Sequence, residues 1–142
     1  DHNYIDEGIY ISRIDGDITT YDMLTRKPNM GDYMDNVTMH SVEHMFATYI
    51  RNSKIGGDVI YFGPMGCRTG FYLLVRNAEN SVVLDEVKAV LAKIAFEATE
   101  MFGATQVECG NYRELSLDFA KIEAKRYLDI LNSRVQSFMY NS

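Results

Sequence analysis

Between Gly8 and Leu24, β-branched and aromatic residues stand on both sides of Asp15-Gly16, and a chain with that pattern has little choice but to fold back on itself. The stretch predicts a β-hairpin with a type I′ turn. A second pair of strands is expected over Asp58 to Phe62 and Phe71 to Val75, joined by the glycine-rich loop from Gly63 to Gly70. Helical spacing takes over elsewhere: about Asn36 to Asn52, about Ser81 to Phe102 with Gly103 as its stop, and about Ser116 to Arg134. Strands paired through tight turns, with helices between and after the pairs, predict an α+β fold in which helices cover one face of an antiparallel sheet. No repeat or linker divides the 142 residues, so 1–142 is expected to be one domain, large enough to bury a core without staples.

Composition narrows the function classes. Fourteen Lys and Arg against twenty scattered Asp and Glu leave a net charge of −6, so no nucleic-acid-binding face is expected. The most apolar helical stretch, Val82 to Phe102, is broken by Asp85, Glu86, Lys88, Lys93 and Glu97, so no membrane span is expected. Cys67 and Cys109 read as free thiols of a soluble, cytoplasmic protein. The chain opens at Asp1 rather than a methionine, and further residues are expected before it.

The first helix carries the chemistry. Val42, Met45, Phe46, Tyr49 and Ile50 fall at core-facing spacing, and at 100° per residue His40, Glu43, His44, Ala47 and Arg51 centre roughly 150° away. That opposite face would be plain surface but for His40-x-x-Glu43-His44. Two imidazoles one turn apart can grip a single metal ion, and a carboxylate beside them can carry protons. A catalytic ion usually takes three protein donors and keeps a position open; Cys109, Cys67 and His2 are the candidates for the third. Inverted zinc proteases also carry His-x-x-Glu-His, but they need a peptide cleft that a chain this short struggles to provide.

Three stretches go further: His40-Ser41-Val42-Glu43-His44 with Arg51-Asn52, then Gly63-Pro64-Met65-Gly66-Cys67-Arg68-Thr69-Gly70-Phe71-Tyr72, then Cys109-Gly110-Asn111-Tyr112. With Asp1-His2-Asn3 and Lys27-Pro28-Asn29, they closely resemble the S-ribosylhomocysteine lyase family, LuxS, and span nearly the whole chain in order. The resemblance implies a homodimer with its sheets packed together and two active sites at the interface. It implies one divalent metal per chain, iron(II) natively and replaceable by zinc or cobalt, held by His40, His44 and Cys109. Glu43 and Cys67 would be the acid and base groups, with His2, Arg51 and Arg26 as substrate contacts. The activity implied is cleavage of S-ribosyl-L-homocysteine to L-homocysteine and 4,5-dihydroxy-2,3-pentanedione, the autoinducer-2 precursor, by carbonyl migration and β-elimination, in quorum sensing and the methyl cycle.

Three positions depart from the family pattern. Leu24 stands where the family usually has an Arg, Tyr61 where some members have an Asp, and Leu115 where many have a His. Two other functions are weighed: a catalytically impaired metal-binding relative acting as an interaction protein, and a small His-x-x-Glu-His metallohydrolase.

Overall fold

The hairpin forms where the turn residues put it, with one change in its chemistry. In a computed structural model that describes residues 5–28, 30–101 and 115–140, β1 (Gly8–Asp15) pairs antiparallel with β2 (Ile18–Leu24). The central turn residues are Gly16 and Asp17. Gly16 alone has a positive φ, +61°, whereas a type I′ turn requires it at both; glycine leading the turn is the II′ pattern. The second pair is β3 (Val59–Pro64) and β4 (Gly70–Arg76), and β4 also pairs with β2. The result is a four-stranded antiparallel sheet in the order β1-β2-β4-β3.

Three helices accompany it: α1 (Asn36–Arg51), α2 (Asn80–Ala92) and α3 (Leu117–Ser133). Among the described residues, no helix is long and apolar enough to cross a membrane. The long second helix expected to run to Phe102 does not hold a regular course. After Ala92 it widens into a π turn, Lys93–Glu97, and Ala98 is extended. The wider turn keeps both Ile94 and Ala98 buried, and the freed Ala98 carbonyl accepts from Lys121 Nζ on α3 at 2.7 Å. Phe102 and Gly103 lie outside the described residues.

One face of the sheet makes the core. Ile9, Tyr21, Met23, Phe62, Phe71 and Leu73 are buried with Met45, Phe46 and Ile50 of α1, Leu91 of α2 and Ala124, Tyr127 and Leu131 of α3. Phe62 joins sheet to helix, its ring 4.5 Å from that of Phe46 and 5.0 Å from that of Phe71. The other face carries Tyr10, Asp22, Tyr61 and Tyr72, and there Tyr140 stacks on Tyr10 and donates to Asp22.

Candidate active site

α1 begins because Asp35 caps it: the carboxylate accepts from Thr38 N at 2.7 Å, satisfying one of the free amides of the first turn. With Met39, Val42, Met45, Phe46 and Ile50 turned into the core, His40, Glu43 and His44 fall on the partly exposed side. Tyr49, expected in the buried stripe, is half-buried. His40 Nδ1 lies 3.3 Å from Glu43 Oε1, so the carboxylate orients one imidazole and sits within reach of whatever that imidazole holds. Arg51 ends the helix, exposed, and pairs with no carboxylate among the described residues.

The loop after β3 is built to present Cys67. Met65 N donates to Gly70 O and Arg68 N to Met65 O, closing a tight turn that requires Arg68 at φ +61°. A left-handed arginine is costly, and its surroundings hold it there. Its carbonyl accepts from Met34 N at 2.9 Å, its guanidinium lies 4.5 Å from the Tyr33 ring centroid, and Nη1 reaches Asn36 Oδ1 at 3.5 Å. Asn36 is one turn before His40, so the Cys67 loop docks against the start of the histidine face. Cys67 is free and exposed at its tip.

Arg26, expected as a substrate contact, has another partner. Its guanidinium bonds both oxygens of buried Glu123, at 2.5 and 2.8 Å. Burial pulls this guanidinium down, but the Glu123 hydrogen bonds and charge, with Asp32 and Glu7, hold it above its ordinary value. Leu24 is buried, and Tyr61 is exposed on the outer sheet face. His2 and Cys109 lie outside the described residues. Ser116, which caps α3, is tied to the site: its amide donates to buried Ser41 Oγ at 2.8 Å, beside His40. Among the described residues, no three His, Cys, Asp or Glu are gathered closely enough to hold a metal.

Two residues of this region escaped the sequence. Glu123 had a signal, a carboxylate at core spacing among Ala120, Ala124 and Tyr127. Thr69, two residues after Cys67, had none beyond its place in the loop.

The LuxS, S-Ribosylhomocysteinase family profile matches residues 1–137. The chain belongs to this family. The S-ribosylhomocysteine lyase of Borreliella afzelii (strain PKo) is 40% identical over 94% of this chain and 88% of its own. That of Finegoldia magna is also 40% identical, over 89% of this chain and 83% of its own. The S-ribosylhomocysteine lyase of Phocaeicola vulgatus is 35% identical over 99% of this chain and 91% of its own. The LuxS match thus takes in the α1 face, the Cys67 loop and the segment that holds Cys109.

Proposed function

We propose that this chain, as one domain over 1–142, is an S-ribosylhomocysteine lyase, cleaving S-ribosyl-L-homocysteine to L-homocysteine and 4,5-dihydroxy-2,3-pentanedione, the precursor of autoinducer-2. The observation that carries this function is the α1 face of a LuxS family member, with His40 and His44 one turn apart and Glu43 3.3 Å from His40. His40, His44 and Cys109 are the metal donors in this scheme. Two imidazoles and a thiolate suit a divalent transition ion, iron(II) with zinc or cobalt as substitutes. The Ser116 to Ser41 bond supports the third donor: it returns the chain to His40's neighbour seven residues after Cys109, within the roughly 23 Å that seven extended residues span. When bound, the ion supplies Lewis acidity toward the sugar's carbonyl and hydroxyl oxygens.

Glu43 and Cys67 carry the protons. Removing the proton beside the carbonyl and returning one to the neighbouring carbon moves the C=O from C1 to C2, and a second exchange moves it to C3. Loss of the C4 proton then expels the homocysteine thiolate from C5, which is β to the carbonyl, and a proton completes the thiol. Two carriers on different sides of the sugar suit a carboxylate on a helix and a thiol on a separate loop. Arg51, seven residues past His44 and so on the same helical face, is the anchor for the homocysteine carboxylate, with His2 as a further contact. The enzyme works in the cytoplasm as a homodimer with sheets packed together, an arrangement that exposed Ile60, Tyr61 and Tyr72 on and beside the outer face support.

The test is thiol release from S-ribosylhomocysteine by anaerobically purified, iron-loaded protein, followed with a disulfide reagent. Release is expected. Full metal occupancy without release would point to the impaired relative, an alternative that Leu24 in place of the usual Arg favours; peptide cleavage without thiol release would point to a metallohydrolase.

A further inference from the structure

Cys67 is exposed, yet its sulfur is not loose: Sγ lies 2.9 Å from Thr69 Oγ1. Thr69 is buried, and a buried hydroxyl needs a partner. Among the described residues, that partner is the sulfur. The rest of Thr69 is held on its other side. Its carbonyl accepts from Thr25 N and Arg26 N, each at 3.0 Å, and from the Thr25 hydroxyl at 3.3 Å. Arg26 is in turn gripped through two bonds by Glu123 of α3. A strut of hydrogen bonds therefore runs from the core of α3, through the end of β2, to the residue that touches Cys67. Because a β-branched side chain is stiff at χ1, a fixed Thr69 backbone means a fixed hydroxyl.

We propose that Thr69 is a positioning residue for the reaction: its hydroxyl donates to Cys67 Sγ and holds the sulfur in the orientation from which it exchanges protons with the sugar, while the Arg26–Glu123 pair keeps Thr69 in place. This rests on Cys67 being a proton carrier. A cysteine at a loop tip otherwise samples several staggered rotamers, and only one aims the sulfur at a given carbon. The hydroxyl selects that rotamer.

The experiment compares Thr69→Val with Thr69→Ser in full-length, metal-loaded protein. Valine keeps the shape and removes the hydroxyl; it should lower kcat about tenfold with KM within about twofold, and serine should restore kcat to within about threefold. A second measurement needs no substrate or metal: alkylation of Cys67 by iodoacetamide in metal-free protein, read by peptide mass spectrometry so that Cys109 is counted separately. It should slow about fivefold in the valine variant and recover in the serine variant. Should the valine variant unfold, Thr69→Ala repeats both measurements. Wild-type kcat and alkylation without the hydroxyl, alongside an inactive Cys67→Ala, would overturn the role of Thr69 alone. A Cys67→Ala variant with wild-type turnover would overturn Cys67 as a carrier, and the role of Thr69 with it.

Discussion

Glu123 lies on the buried side of α3 between Ala120, Ala124 and Tyr127, with only 5% of its side chain exposed. A carboxylate there is tolerable because Arg26 meets it with two bonds and Arg126 stands 3.8 Å away. Removing Glu123 leaves the largely buried Arg26 with only Asp32, exposed and 3.4 Å from Nε, as a paired carboxylate among the described residues. Glu123→Ala should therefore cost about 3 to 5 kcal/mol in urea unfolding of the metal-free protein, and the double variant Arg26→Met, Glu123→Leu should regain most of it. A single-variant loss below about 1 kcal/mol would show that the pair holds nothing in place. The proposed donors and carriers divide differently. Cys109→Ala should lose most of its metal by elemental analysis, whereas Glu43→Gln should keep the metal and lose thiol release by about 10² to 10⁴. Metal retained in the first, or turnover retained in the second, would each remove that residue from its role.

At the scale of elements, α1 was legible almost residue by residue. Its stripe of Val42, Met45, Phe46 and Ile50 is buried as the spacing requires, and the histidine face follows as the complement. Asp35 sets the start, and Asp35→Ala should cost about 1 kcal/mol in thermal or urea unfolding while Asp35→Asn costs a few tenths. Equal losses for Ala and Asn would mean that the carboxylate acts through charge rather than as a cap. The second helix was less legible. Val87, Val90, Leu91 and Ile94 keep a regular course in the sequence, but where the π turn falls depends on how Ile94 and Ala98 meet α3, and no local spacing contains that. The hairpin turn lies between these cases. Its place follows from glycine, and its type depends on which two residues the strand register leaves unpaired.

For the molecule as a whole, tyrosines tie stability to pH. Tyr21 and Tyr127 are buried, their hydroxyls donating to Asn80 Oδ1 at 2.6 Å and to the Gly8 carbonyl at 2.7 Å. Burial raises Tyr21 to about 12 and Tyr127 well above the ordinary 10.0. Below pH 10 both folded and unfolded chains keep these protons, and stability is unaffected. As pH climbs from 10 toward about 12, the unfolded chain releases them while the folded one resists, so the unfolded state gains and stability falls. Urea midpoints should be level from pH 8 to about 9.5 and drop beyond it, with a shallower drop in Tyr127→Phe; a flat profile to pH 11.5 would contradict the burial of these phenols. The proposed dimer makes its own claim. Tyr72→Glu, on the outer sheet face, should turn a sedimenting dimer into a monomer, and an unchanged dimer would place the interface elsewhere.

Strands, the first helix and the histidine face were readable from the chain, since each depends on neighbours a few residues apart and on backbone geometry common to every protein, and the family was readable from specific motifs kept in order along it. Partners across the chain were not. Arg26 looked like a free cation for a substrate carboxylate until α3 delivered Glu123, 97 residues further on, to its guanidinium. Thr69 looked like one more loop residue until the turn at Arg68 swung its hydroxyl onto Cys67. Charges and hydroxyls take whichever partner the packed core brings within hydrogen-bond distance, and only the packing of α3 against the sheet decides which one that is.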